Sequence, residues 1–153
     1  MRIALYQPDI PQNTGALLRL GACFGVPVDI IEPCGFPLDD KRLRRAGMDY
    51  AEACELSRHS SWNAFLDGFR AKNSGRIILL TTKAPKSFAK FDFGEDDVIL
   101  LGRESAGAPP QVHSACDERL CVPLAEGARS LNVVTAAAIV LSEALRQNGF
   151  FYK

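Results

Sequence analysis

No stretch of this chain approaches the ~20 apolar residues that a membrane-spanning helix needs. The N-terminal MRIALYQPDIPQ offers a three-residue apolar run before polar residues and prolines intervene, which argues against a secretory leader and makes the cytoplasm the expected location. Charge of one sign is missing too: 18 basic residues face 18 acidic ones, so any nucleic-acid footprint has to be local rather than global. Five cysteines, at 23, 34, 54, 116 and 121, contain no C-x-x-C pair, and their odd number predicts reduced thiols rather than disulfides. His113, Cys116 and Cys121 match no standard zinc spacing and lack an evident fourth ligand, so no metal is expected. There is no G-x-G-x-x-G after the first strand, no G-x-x-x-x-G-K and no G-x-S-x-G, which disfavours a conventional dinucleotide, nucleoside-triphosphate or serine-hydrolase site. Repeats, low-complexity segments and linkers are likewise missing.

What is present is 153 residues, 47% of them hydrophobic, enough for one domain over 1–153 with a proper core and no staples. Arg2 to Tyr6 reads as a first strand, followed by a rigid loop whose two prolines forbid helix until they are past. Asn13 then suits the cap of a helix carrying Leu17, Leu18, Leu20 and Phe24, with Gly25 as terminator. Val28 to Ile31 reads as a second strand. Ser60 or Ser61 caps a helix whose Trp62, Phe65, Leu66 and Phe69 recur at i, i+3, i+4 and i+7, a core pattern. RIILLT (Arg76 to Thr81) and DVILL (Asp97 to Leu101) are continuous apolar runs, as in strands buried on both faces of a parallel sheet. The alternation of strands and helices predicts an α/β fold.

The richest stretch runs from Leu120 to Gln147: a short strand over Leu120 to Leu124, a Gly-containing loop from Ala125 to Arg129, and a long helix capped by Ser130 with Gly149 near its far end. From Val133 to Leu141 this helix has almost no polar stripe, which predicts a core or subunit-interface helix. The loop before it is either part of an ordinary capped core helix or a set of free amides able to hold an anionic or nucleotide-like ligand. Ligands of open parallel sheets bind beyond the carboxyl ends of the strands, so the loops Thr81 to Lys86, Gly102 to Pro109 and Ala125 to Arg129 converge on one candidate pocket. Asp39 and Asp40 suit the start of a short helix whose Lys41, Arg42, Arg44 and Arg45 form a basic patch. That patch is either a solvated face or a phosphate-contacting surface.

Three motifs in order carry a resemblance: PQNTGALLR at Pro11 to Arg19, ILLGRESAGAP at Ile99 to Pro109, and CVPLAEGARSLNVVTAAAIV at Cys121 to Val140. They resemble the three motifs of the SPOUT class of RNA methyltransferases. IIEPCGF, DDKRLRRAGMDY and LLTTK narrow the likeness to the stand-alone tRNA (cytidine/uridine-34) 2'-O-methyltransferases, over essentially the whole chain. The resemblance implies a parallel sheet with a C-terminal trefoil knot, against the general rule on knots. It further implies an S-adenosylmethionine (S-adenosyl-L-methionine) cofactor, a tRNA substrate, and a homodimer formed through the C-terminal helix. By position it assigns cofactor contacts to Leu80, Gly102, Glu104, Val122, Leu124, Ser130 and Leu131, a catalytic role to Asn13 and Arg19, and tRNA contacts to Arg42 and Arg45.

Two departures stand out. Where the family commonly reads Gly-Pro-Glu-x-x-Gly-Leu-Pro, this chain has Arg103, Ala106 and Ala108, and Val134 occupies a position often held by a small hydroxyl residue. These leave open a different RNA site, or a non-catalytic RNA-binding protein with a degenerate knot. No histidine is an obvious general base, and a guanidinium with a pKa above ~12 is a poor one. Arg19 is therefore read as positioning the ribose and its phosphate.

Overall fold

The computed structural model describes residues 1–38, 53–72 and 74–152. The basic patch, with Arg42 and Arg45, lies outside the described residues. In chain order the described elements are β1 (Arg2–Tyr6), α1 (Pro11–Phe24), β2 (Val28–Ile31), β3 (Leu56–His59), α2 (Trp62–Lys72), β4 (Ile77–Leu80), β5 (Lys86–Ser87), β6 (Val98–Leu101), α3 (Pro110–Ala115), β7 (Glu118–Cys121) and α4 (Val133–Gln147), with short 3-10 turns at Phe88–Lys90 and Phe150–Tyr152. The strands form one sheet in the order β3-β2-β1-β6-β4-β7-β5, every pairing parallel.

The apolar runs are continuous because both faces of the sheet are covered. Ile3, Leu5, Ile30, Ile78, Ile99 and Leu101 point to one face, where α1 (Leu17, Leu18) and α4 (Val140, Leu141, Ala144) seal them. Their neighbours Ala4, Tyr6, Ile31, Ile77, Leu79, Val98 and Leu100 point to the other, beneath Phe65 and Phe69 of α2 and Val112 of α3. The two-residue period of a strand makes that division, and each large side chain fully buried stabilises by about 1.5–3 kcal/mol.

At the amino end of the sheet, the buried carboxylate of Asp97 ties β4 to β6. It accepts from the Arg76 guanidinium at 2.7 Å, the Arg76 amide at 2.9 Å and the Gly94 amide at 2.8 Å. Burial by itself raises such a carboxyl; these donors outweigh it and hold Asp97 below the usual carboxylate range.

Several boundaries differ from the sequence reading. Helix α1 begins at Pro11, so Asn13 is its third residue and not its cap. Proline at the first helical position forfeits an N–H that had no intrahelical partner, and its fixed φ already suits a helix. Ser130 does not cap α4; Asn132 does, its side-chain oxygen accepting from Val134 N at 2.8 Å and Thr135 N at 3.4 Å. The strand read over Leu120 to Leu124 lies over Glu118–Cys121 instead. Strands β3 and β5 are extra: Leu-Ser-Arg-His and Lys-Ser sit at the sheet's two edges and carry too little apolar character to be read as strands. Gly25 does terminate α1, in the left-handed region at φ 62°.

Candidate active site

Because β6, β4 and β7 are adjacent in the sheet, the loops leaving their carboxyl ends meet. They enclose a cavity of about 380 Å³, within the ~300–1,000 Å³ usual for small-molecule sites. The β4 side supplies Leu80, Thr81 and Thr82, the β6 side Leu101 to Glu104 with Gly107 and Ala108, and the β7 side Val122, Leu124 and Ser130 to Val133. Ile10 and Asn13 close it from the start of α1, and Ala136 from α4. All seven residues that the resemblance assigns to the cofactor, Leu80, Gly102, Glu104, Val122, Leu124, Ser130 and Leu131, line this space. The segment 125–129 does not line it; the stretch just beyond, freed from capping duty at Ser130, does.

The β6 loop owes its shape to a tight closure. Arg103 and Gly107 bond each other's backbone, N to O at 3.1 Å and 2.8 Å, with Gly107 at φ 68°, a conformation that favours glycine. A Cβ on Gly102 would come within 2.7 Å of Ala108 N and Gly107 C, so bulk there meets its own loop before it meets any ligand.

The polar groups fall at the mouth. Asn13, inside α1, accepts through Oδ1 from Asn132 Nδ2 at 3.1 Å, which ties the first motif to the third. Glu104 of the second motif exchanges hydrogen bonds with Asp9: Asp9 N donates to Glu104 Oε2 at 3.1 Å and Glu104 N to Asp9 Oδ1 at 3.2 Å. Ser105 Oγ donates to Asp9 Oδ2 as well. Burial, and then the neighbouring Asp9 carboxyl, push Glu104 above the usual carboxylate range, while the contacts with Glu104 and Ser105 hold Asp9 below it. The pair therefore keeps a proton to higher pH on the Glu104 side. Arg103 donates to Gln7 Oε1 and its Nε is buried with no hydrogen-bond partner among the described residues. Gln7 itself stands at φ 46°, a strained conformation for a residue with a Cβ.

Arg19 is not at the cavity. It is exposed on α1, six residues beyond Asn13, which on an α-helix is ~9 Å along the axis and ~120° around it. Asp9 and Asn132 escaped the sequence reading; the signals available were the carboxylate in the β1–α1 loop and an asparagine one residue ahead of an apolar helix. Among the described residues no group of three or more His, Cys, Asp or Glu is arranged to hold a metal ion, and no helix is long and apolar enough to cross a membrane.

A parallel sheet with a cavity built by three loops beyond adjacent strand ends is the frame of a known class. The chain belongs to the SpoU rRNA Methylase family, whose profile matches residues 1–142. Within that family it is 54% identical over 151 residues, 99% of this chain and 94% of the relative, to a tRNA (cytidine(34)-2'-O)-methyltransferase of Beijerinckia indica. Identity to the tRNA (cytidine(34)-2'-O)-methyltransferase of Escherichia coli K12 is 40%, covering 98% of this chain and 95% of that one. Among solved structures, one described for the 2-OH methylation of C/U34 on tRNA superposes with a TM-score of 0.89 at 36% identity, covering 96% of this chain and 95% of that one.

Proposed function

We propose that this chain transfers the methyl group of S-adenosylmethionine to the 2'-hydroxyl of the wobble nucleotide, cytidine or uridine 34, of tRNA. The observation that carries the reading is that segments of all three motifs line one cavity. The likeness to tRNA (cytidine(34)-2'-O)-methyltransferases along 99% of the chain supplies the substrate.

The cavity suits the cofactor chemically. Leu80, Leu101, Val122 and Leu131 offer apolar surface for a flat base, while Ser130, Asn132, Asn13 and Glu104 offer acceptors and donors for the ribose and amino-acid portions. S-adenosylmethionine supplies an electrophilic methyl, so the protein's work is alignment and management of one proton. Glu104 keeps a negative charge at the cavity edge once ionised, Asn13 and Asn132 hold the mouth in shape, and the loop residues exclude water. Arg19 orients the substrate ribose and phosphate, and Arg42 and Arg45 take tRNA phosphates.

The same reading includes one domain, a trefoil knot in the C-terminal part, a cytoplasmic location and a homodimer. Support for the dimer is apolar surface left uncovered near the cavity mouth and on α4: Ile10 is 40% exposed, Leu131 37% and Ile139 36%. Incubation with total tRNA lacking such modifications, followed by mass spectrometry, tests the activity. Methyl on ribose 34 is the expected product; no incorporation, or incorporation elsewhere, refutes the assignment. Light scattering that shows a stable monomer at micromolar concentration refutes the dimer.

A further inference from the structure

We infer that Asp9 is a positioning residue for the methyl-transfer site: by trading backbone-to-carboxylate hydrogen bonds with Glu104, it fixes where the Glu104 carboxylate stands and how charged the cavity edge is. The inference rests on the methyltransferase reading above and adds a residue outside its three motifs. Asp9 does not line the cavity, but its neighbour Ile10 and its partner Glu104 both do, so it acts through them.

The geometry is that of a clamp rather than a passing contact. Each residue's amide donates to the other's carboxylate, at 3.1 Å and 3.2 Å, and Ser105 occupies the remaining Asp9 oxygen. Behind Asp9 the chain is pinned by a third loop. Gly35 N donates to Pro8 O at 2.9 Å, and the Gly35 backbone packs so closely that a Cβ there would come within 2.7 Å of Asp9 Cβ. Gly35 thus backs Asp9 on one side, and the Glu104 carboxylate that Asp9 holds is crowded by a like-charged group. Two carboxylates held in one clamp do not ionise independently.

Among the described residues, few other groups surround the pair. The β6 loop adds the Arg103 guanidinium, engaged with Gln7. Helix α1 and the segment before α4 present neutral Asn13, Ser130 and Asn132, and the Asn13 amide favours ionisation of Glu104. Asp9 is therefore the charge that Glu104 feels first.

The experiment compares wild-type chain with Asp9→Asn and Ser105→Ala from pH 5 to 8. One arm measures the affinity for S-adenosylhomocysteine by calorimetry, the other single-turnover methyl transfer to tRNA. The wild type is expected to show a pH midpoint in both. Asp9→Asn keeps an acceptor for the Glu104 amide but removes the charge, and should move both midpoints down by about one unit. Ser105→Ala, which removes a donor to Asp9 but keeps its carboxylate and makes it easier to protonate, should not move the midpoints down. A bracing role alone would alter thermal stability without moving a midpoint. Equal midpoints in wild type and Asp9→Asn, or a wild-type affinity with no pH dependence, overturn the inference. A shifted calorimetric midpoint in a protein that methylates no tRNA upholds Asp9 and sinks the wobble assignment instead; tRNA methylation with an unmoved midpoint does the reverse.

Discussion

Replacing Gly102 by alanine tests the architecture of the site most directly, because the added atom has a known place to go. An ideal Cβ lies 2.7 Å from Ala108 N, 2.7 Å from Gly107 C and 3.0 Å from Gly107 Cα. All three are backbone atoms of the loop closed by the paired Arg103 and Gly107 bonds, so no side chain can rotate aside. The approach has to open from 2.7 Å to about 3.4 Å for ordinary contact, and the shift passes into the loop that carries Arg103 and Glu104. Overpacking of this kind costs about 1–3 kcal/mol, and for a chain of this length each kcal/mol lowers Tm by about 2–4 °C. Gly102 also lines the cavity. Displacing this wall by about 0.7 Å should weaken S-adenosylmethionine binding by at least ~10-fold, equivalent to ~1.4 kcal/mol. Scanning calorimetry gives the first quantity and titration calorimetry the second. Wild-type Tm together with wild-type affinity would show that the loop is looser than the paired hydrogen bonds imply, and the cavity wall would have to be redrawn.

Arg19→Ala should leave S-adenosylmethionine affinity near wild type, since Arg19 is exposed and away from the cavity, yet slow single-turnover methyl transfer by ~10²-fold; Arg19→Lys should rescue poorly because an ammonium lacks the planar fork. A wild-type rate in Arg19→Ala returns this residue to the surface. Asn132→Ala removes the acceptor for two first-turn amides of α4 and the donor to Asn13, so urea denaturation should report a loss of about 1 kcal/mol, whereas Ser130→Ala, outside the cap, should cost almost none. Asp97→Asn should destabilise by about 2–3 kcal/mol through lost charge-assisted bonds, toward the lower figure because Arg76 is 39% exposed and its attraction is screened. The pH dependence has a definite sign: Asp97 is held below its ordinary 3.8, so its contribution is complete above that value and disappears as pH falls through the lower folded-state value. Acid titrations of wild type and Asp97→Asn should therefore converge as pH falls through the lowered folded-state value and diverge above 3.8; parallel curves would count against the assignment.

Much of this protein could be read from periodicity alone. The apolar runs Ile77–Leu80 and Val98–Leu101 announced strands covered on both faces, and the spacing of Phe65 and Phe69 announced a core helix, because burial on a strand or helix follows the local repeat. The seven residues carried over from the resemblance share one cavity for a related reason: each lies at or after a strand end, and parallel strands deliver their carboxyl ends to one side. Local signals competed at the helix starts. Ser130 and Asn132 are both good caps, and which of them begins α4 depends on where β7 ends and how far the chain must travel to reach the α1 side of the sheet. The edge strands β3 and β5 were silent because pairing with a neighbour, not side-chain character, makes them strands. Nothing in the order of residues links Asp9 to Glu104, 95 positions apart; their clamp exists because β1 and β6 run side by side in the sheet. That adjacency is a property of the tertiary fold, and with it comes the charge at the cavity edge.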